Sequence, residues 1–234
     1  IIFLNWKTMK RDRESDVEDD ENSKKHQKKI VESYRNALLD ACRLGDLEVA
    51  IMMIRRGVDV ETREEHTERS ALHLAAFYGH VELAIILIRR GADVEARDNE
   101  KCTPIHLAAQ SGHVDVVKFL IQNGADVNAV LEDNWTALHI AAEIGHVDVA
   151  KVLLQNGADV NAADGYKRTV LHIAASNGYV DVAKVLLENG ADMNAVDDSK
   201  STALHKSAQE GHVDVTKVLI QNGAEVNAVS DDES

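Results

Sequence analysis

Histidine is the residue type in this sequence with the widest chemical reach, because its imidazole can bind metal ions and transfer protons near neutral pH. The chain has 11 histidines among its 234 residues. Most of them belong to two regular series. The first series has a spacing of 33 residues and consists of His73, His106, His139, His172 and His205. The second series consists of His80, His113, His146 and His212, with Tyr179 at the place of the missing member.

A residue that returns with a fixed period indicates a packing or hydrogen-bonding role in every copy of a repeat, rather than a single reactive site. In one copy Leu39 stands in place of the histidine of the first series, and in another Tyr179 stands in place of the histidine of the second. Both replacements agree with a structural role. The sequence has no cysteine pair at metal-ligand spacing, no phosphate-binding glycine loop and no nucleophile turn. We therefore predict no catalytic, cofactor-binding or metal-binding residue, and a protein that is not an enzyme.

Each copy of the repeat predicts two short helices that must pack on neighbouring copies. Thr103 suits the N-cap position, and Pro104 after it suits the first helical turn. Gly112 ends this first helix, and Gly124 ends the second in a left-handed conformation. An extended segment then leads to the next threonine. Because one such unit cannot cover its own apolar faces, the units are expected to stack.

The sequence Thr-Pro-Ile-His-Leu-Ala-Ala at 103–109, with Gly-His at 112–113 and Gly-Ala-Asp-Val-Asn-Ala at 124–129, resembles the ankyrin repeat. The match occurs five times, after a degenerate first copy. The resemblance implies an all-α solenoid of helix-turn-helix units with projecting, hairpin-like fingers. It also implies a concave binding surface made from the fingers and the inner helices.

We predict three segments along the chain. Residues 1–29 are expected to be a disordered charged tail, and residues 230–234 an acidic tail. The array at 30–229 is divided into an N-terminal cap and five further repeats, the last of them C-cap-like: 30–65, 66–98, 99–131, 132–164, 165–197 and 198–229. Residues 1–8 precede Met9, so we interpret them as a gene-model remnant or the chain as a fragment.

The predicted fingers depart from the family pattern at their turns. The ankyrin repeat usually has a turn glycine five residues before the histidine of the first series. This sequence has Glu68, Lys101, Asn134, Lys167 and Lys200 there instead. A non-glycine residue at positive φ costs about 1 kcal/mol. The fingers are therefore expected to be looser, or turned differently.

The chain is acidic, with a formal charge of −14. Residues 121–234 contribute most of it, since they hold 7 basic and 18 acidic side chains. This charge disfavours direct binding to nucleic acid. It suits protein partners with a basic surface, although it could equally just keep a long surface soluble. No apolar run approaches the ~18 residues of a membrane span, so we expect a monomer that binds no membrane.

Two features bear on the compartment. The two cysteines, Cys42 and Cys102, are too few for a disulfide framework, which favours the cytoplasm. A pair of basic clusters has the spacing of a bipartite nuclear import signal, although charged runs are usually only solvated. The clusters consist of Lys10, Arg11, Lys24, Lys25, Lys28 and Lys29. Ser15 and Ser230 precede acidic residues, as kinase sites do, but such motifs are common by chance.

Binding specificity is expected where the copies differ, since the shared positions build the stack. The most variable positions are the residue before each threonine cap and the two residues before the glycine that ends each first helix. Aromatic, arginine and other non-periodic side chains near these positions are our interface candidates, because Trp, Tyr and Arg dominate binding hot spots. They are Arg69, Phe77, Tyr78, Trp135, Glu143, Ile144, Tyr166 and Arg168. Ordinary packing on neighbouring helices is the alternative for each, above all for Phe77.

The sequence therefore predicts a non-catalytic protein-protein interaction module that binds on its concave surface. Two alternatives stay open. One is an ankyrin-type inhibitor that masks a transcription factor or a kinase. The other is an ankyrin portion of a larger enzyme or membrane protein, with the chemistry elsewhere.

Overall fold

A computed structural model describes residues 24–231, which form six consecutive helix pairs. The first pair is α1, residues 24–44, and α2, Leu47–Arg55. Each later pair has an inner helix followed by an outer helix. They are α3 Ala71–Phe77 and α4 Val81–Arg89, α5 Pro104–Gln110 and α6 Val114–Gln122, α7 Ala137–Ile144 and α8 Val147–Gln155, α9 Val170–Ser176 and α10 Val180–Glu188, and α11 Ala203–Gln209 and α12 Val213–Gln221. We call these pairs units one to six.

The all-α fold class is confirmed. Between residues 24 and 231 the extended segments form only isolated bridges, such as Val130 with Thr136 and Ala163 with Thr169. A short 3-10 turn at Glu132–Asn134 is the other element. We call the segments that link an outer helix to the next inner helix the first to fifth fingers, and the segment after α12 the sixth finger.

The helices lie in two layers that share one core. The inner helices α3, α5, α7, α9 and α11 pack side by side in one layer. The outer helices, α2, α4, α6, α8, α10 and α12, form the second layer. Alanine pairs such as Ala141 and Ala142, both fully buried, let the inner helices approach closely. Leu120, Leu153 and their equivalents in other units fill the space between the layers. Each fully buried leucine contributes about 1.5–3 kcal/mol, so the stack is held mainly by this continuous core.

Each inner helix begins with a capping box in which the histidine has the third helical position. In unit two, His73 Nδ1 accepts from the backbone N–H of Ser70 at 3.2 Å and lies 2.8 Å from Ser70 Oγ. The same box recurs with Thr103, Thr136, Thr169 and Thr202. The histidine thus does the work of the glutamate in an ordinary capping box, and it satisfies a backbone donor at the helix start.

Helix α1 corrects the predicted boundary of the N-terminal tail, because residues 24–29 are helical. Lysine and glutamine are good helix formers, and the buried residues near Leu38 and Cys42 anchor the helix from which they extend. Lys24, Lys25, Lys28 and Lys29 lie on its exposed part. Lys10, Arg11 and Ser15 are outside the described residues.

The C-terminal boundary also differs from the predicted one. Ser230 is 6 % exposed. Asp231 donates its backbone N–H to the Ser199 carbonyl at 3.0 Å and accepts from Lys200 Nζ at 3.0 Å. Residues 230 and 231 therefore belong to the sixth finger, which packs on the fifth, and not to a separate tail.

Candidate functional site

The inner helices are buried except at their C-terminal ends. In α7, only Ile140 and the last two residues, Glu143 and Ile144, are at least partly exposed. The corresponding residues end every inner helix at one edge of the stack. We call them the helix-end row: Phe77 and Tyr78, Gln110 and Ser111, Glu143 and Ile144, Ser176 and Asn177, and Gln209 and Glu210. Four predicted interface residues are members of it.

Leu44 extends this row into the first unit and is not among the interface residues predicted from the sequence. Its side chain is 80 % exposed, more than any other large apolar side chain between residues 24 and 231. Leu44 directly precedes Gly45, as Tyr78 precedes Gly79 and Ile144 precedes Gly145. Alignment on these glycines could have found it, but the first unit was treated as a cap that only closes the core.

A second set of candidates lies at the bases of the fingers, and it is more buried than predicted. We call Arg69, Cys102, Trp135, Arg168 and Ser201 the finger-base row. Cys102 is 8 % exposed and Ser201 only 2 %. Burial raises the pKa of the Cys102 thiol to about 12, so this cysteine stays protonated. The finger bases are therefore largely part of the stack.

The two arginines of the finger-base row bind buried aspartates. Arg69 Nε donates to Asp98 of the next finger at 3.2 Å. Arg168 Nε and Nη2 approach Asp164 Oδ2 at 2.8 and 2.7 Å. Both aspartate side chains are almost completely inaccessible. Because a buried carboxylate needs such partners, these arginines first stabilise the fingers and only secondarily face a ligand.

The same aspartates explain how the fingers turn without glycine. Asp164 Oδ1 accepts the backbone N–H groups of Tyr166 and Arg168 at 2.9 and 2.8 Å. Between them Lys167 adopts a φ of 59°. Asp98 and Asp197 hold their fingers in the same way. The left-handed turn thus persists with a non-glycine residue, and the aspartate holds it in place.

Two groups of candidates are in mutual contact. The Arg69 guanidinium lies 5.6 Å from the Phe77 ring centroid, and Phe77 meets Tyr78 edge to face at 5.1 Å. Arg168 lies 5.4 Å from the centroid of Tyr166, which is 58 % exposed. Phe77 is half-buried beneath Arg69, so packing is an important part of its role. Tyr78 and Tyr166 are available to a partner.

Trp135 belongs to a finger that departs from the others. Leu131 stands where the second and fourth fingers have Asp98 and Asp164, so no carboxylate accepts the N–H groups of this turn. The chain forms the 3-10 turn instead, with Asp133 and Asn134 both at positive φ. The indole packs 5.7 Å from the His139 ring, centroid to centroid, and is partly buried.

His139, beneath Trp135, is also an exception in its own series. His73 and His172 use Nε2 to reach the carbonyls of Cys102 and Ser201, each at 2.9 Å. His106 and His205 reach the carbonyls of Ala129 and Ala228, each at 3.0 Å. His139 Nε2 is buried and makes no hydrogen bond of normal geometry, although the backbone groups of Arg168 and Ala162 are close enough to act on the ring. The link from this inner helix to the following finger is therefore weaker than in the other units.

Burial sets the charge of these histidines. It lowers the pKa of His73, His139 and His172, and it lowers that of His106 to about 4. The rings are therefore neutral at pH 7 and act as hydrogen-bonding links. Among residues 24–231, no three His, Cys, Asp or Glu side chains are placed to hold a metal ion.

The family model for ankyrin repeats, in its three-copy form, matches the chain in overlapping segments: 19–98, 38–130, 96–164, 123–197 and 163–230. The chain belongs to the ankyrin repeat family. A search of curated proteins finds no match. In the ankyrin repeats that the structure describes, no helix is long and apolar enough to cross a membrane.

Ankyrin repeats are generally protein-protein interaction modules. The ankyrin stack explains why the conspicuous histidines, glycines and threonines recur. It leaves the helix-end row and the exposed fingertips as the positions where one unit differs from the next.

Proposed function

We propose that this ankyrin array binds another protein, without catalysis, on the surface formed by the helix-end row and the adjoining fingers. The inner helices, the capping boxes and the buried aspartates form a rigid support for that surface. A surface that is ordered before binding loses little conformational entropy when a partner docks. Rigidity of this kind lets a few exposed side chains provide useful affinity.

One observation carries the proposal: the exposed ends of the inner helices are the places where the units differ in sequence. Tyr78 is 44 % exposed and Ile144 is 37 % exposed, whereas the corresponding residues elsewhere are Ser111 and Asn177. Tyr78 contacts the Phe77 and His80 rings, but other units stack with a polar residue at this position, so the stack does not require a tyrosine or an isoleucine there. Such side chains are typical of interface cores.

The burial and the contacts of the individual candidates support different roles for them. Tyr78, Glu143, Ile144 and Tyr166 are the residues proposed to touch a partner directly. Arg69 and Arg168 are proposed to hold the fingers and to present their remaining guanidinium surface. Phe77 and Trp135 are proposed to support the neighbouring contacts through packing, with a smaller exposed part.

A capture experiment tests this assignment. The purified protein is immobilised, cross-linked to proteins of a cell extract, and compared with the Tyr78→Ala/Ile144→Ala double variant. Recovery of the main partner is expected to fall at least about tenfold, because interface anchors each contribute more than about 1 kcal/mol.

The matched control is Ile220→Ala. Ile220 has a similar exposed fraction of 46 %, but it lies on the outer helix α12. This control is expected to keep full recovery. A folded double variant that recovers the partner as well as the control does would refute the proposed surface.

A further inference from the structure

The charges on the two faces of the array are organised differently. On the outer helices, each of four exposed aspartates has a lysine three residues later within ion-pair distance. The pairs are Asp115 with Lys118 at 3.9 Å, Asp148 with Lys151 at 3.5 Å, Asp181 with Lys184 at 3.3 Å, and Asp214 with Lys217 at 3.3 Å. This face is close to electrically balanced.

The helix-end row has no such balance. Glu143 and Glu210 are exposed, and neither forms an ion pair with any residue between 24 and 231. Two cations close to this row in sequence, Arg43 and Lys206, are already engaged. Arg43 pairs with Asp40 and Glu64, and Lys206 Nζ lies 2.9 Å from Asp197 Oδ2. The two carboxylates are therefore left for a ligand.

The row also changes in polarity from one end to the other. Its first members before the turn glycines are Leu44 and Tyr78, and the fourth is Ile144. After Ile144 come Asn177 and Glu210. Leu44, Phe77 and Tyr78 thus make the N-terminal part of the row mainly apolar. From Glu143 onwards the row is polar apart from Ile144 and carries two carboxylates, those of Glu143 and Glu210. A ligand that lies along the row meets an apolar surface first and carboxylates next.

The spacing of the units defines the reach of such a ligand. Packed helices have axes about 8–10 Å apart, so Tyr78 and Glu143 are separated by about 20 Å along the row. An extended peptide covers this distance with about six residues at 3.3 Å each. One continuous segment of a partner can therefore occupy both the apolar and the acidic parts.

We propose that the partner contributes one segment with an aliphatic or aromatic anchor and at least one arginine or lysine. The anchor packs on Tyr78, and a cation about six residues further along pairs with Glu143, where Ile144 adds an apolar contact. In a longer segment a second cation reaches Glu210. The inference rests on the proposed function and specifies the chemistry of the partner. Complementary charge and apolar contact together provide its specificity, since a neutral segment leaves the carboxylates unpaired and an acidic one is repelled.

The test selects ligands without assuming their sequence. A displayed library of random peptides of about 12 residues, long enough for the proposed span, is selected on the intact protein. Enriched peptides are expected to combine arginine or lysine with aliphatic or aromatic residues. Their affinity is expected to weaken as salt is raised. Enrichment of neutral or acidic peptides would overturn the proposal.

Two charge reversals then localise the binding. Glu143→Lys is expected to weaken the best peptide at least tenfold. Glu188→Lys makes the same change in charge at an exposed residue that ends the outer helix α10, and it is expected to have less than a twofold effect. Circular dichroism verifies that both variants are folded. Equal losses in the two variants would show attraction to the whole acidic chain, and would overturn the proposal.

The capture experiment separates this proposal from the more general one. If Tyr78→Ala/Ile144→Ala loses the cellular partner and Glu143→Lys retains it, the surface binds protein but the basic segment is wrong. If neither variant loses the partner, the proposed surface itself is wrong. A dimer of this chain that Glu143→Lys dissociates would identify a second copy as the occupant, and would equally overturn the proposal of a foreign segment.

Discussion

The third and fourth fingers are neighbours of equal length, but their turns have different backbone conformations and hydrogen bonds. The fourth finger places Lys167 at positive φ and secures it with Asp164, which accepts two backbone N–H groups and binds Arg168. The third finger has Leu131 in that place and two consecutive residues at positive φ. The histidine of the same unit, His139, makes no hydrogen bond of normal geometry to the following finger through Nε2.

This comparison shows that the stack tolerates a weak link when the units on either side are intact. Each unit of a solenoid is stabilised by contacts with its neighbours as well as by its own structure. The fourth unit, with its weak link at His139, also carries Trp135, Glu143 and Ile144, three of the predicted interface residues.

The largest effect is expected from acidification. Neutral histidine is preferred in the fold, so the unfolded chain binds protons first as pH falls below about 6.5. The contribution of His106 is complete above that pH and is lost progressively towards its folded pKa of about 4. The pKa values of His139 and His172 are also lowered by burial, so their contributions to stability are lost in the same direction of pH. The free energy of unfolding, measured with urea from pH 7 to pH 4.5, is expected to fall by several kcal/mol.

His106→Gln provides the control for that series, since it cannot gain a proton. In this variant the free energy of unfolding is expected to fall less steeply with falling pH, by up to about 1.4 kcal/mol per pH unit. A slope equal to that of the unaltered chain would mean that His106 is not the titrating group.

Asp164→Leu makes the fourth finger resemble the third, and it is expected to cost about 3 kcal/mol. The substitution leaves two backbone donors and the Arg168 guanidinium without their acceptor. Urea unfolding and hydrogen exchange of the Tyr166 and Arg168 amides measure the loss. A cost below about 1 kcal/mol would show that the aspartate does not hold the turn.

Substitution of His172 and of His139 compares the contact between an inner helix and the following finger in two units. His172→Ala is expected to cost about 1 kcal/mol more than His139→Ala. Both variants lose a capping box, but His172 alone gives up a hydrogen bond to the next finger. Parallel urea unfolding of the two variants gives the difference directly. Equal costs would indicate that His139 Nε2 finds an acceptor in solution.

Leu131→Asp is the reverse of Asp164→Leu, and it is expected to stabilise the chain by about 1 kcal/mol. The new carboxylate can accept backbone N–H groups of the third finger, as Asp98 and Asp164 do in theirs. Thermal unfolding is the simplest measurement. Lower stability would show that the third finger is adapted to its 3-10 turn.

The smallest effect is expected from glycine at the turn. Lys167→Gly is expected to stabilise the chain by somewhat less than 1 kcal/mol, because glycine adopts positive φ without strain but loses more entropy on folding. Asn134→Gly is expected to gain less, since asparagine tolerates the left-handed region better than lysine. The same thermal assay ranks the two. A larger gain at Asn134 would reverse the proposed order of strain.

The sequence predicted the repeated parts well because they depend on local rules. Threonine caps, helix-ending glycines and the alternation of inner and outer helices are read from neighbouring residues, and the structure confirms them at Thr136 and Gly145. The expectation that the fingers are looser or turned differently was wrong at Lys101 and Lys167, which keep positive φ because Asp98 and Asp164 hold these turns.

Partners far apart in sequence could not be predicted in the same way. Arg69 meets Asp98, which is 29 residues away, and this contact depends on the exact offset between fingers. The exposure of Leu44 depends on what lies beside the first unit. The sequence therefore grouped the candidate residues into rows, while the burial of individual side chains required the structure. The partner itself is still a prediction.

The turn glycines give the array a direction of assembly. A methyl group on Gly79 would lie 2.6 Å from the His113 ring of the next unit, and one on Gly145 the same distance from Tyr179. In such pairs, the ring at the start of an outer helix packs against the turn glycine of the preceding unit. Asp46 replaces the ring in the first unit, whereas a methyl group on Gly211 would meet no described atom within 4 Å. An engineered seventh unit with a histidine at this position could therefore place its ring against Gly211 and extend the array after α12.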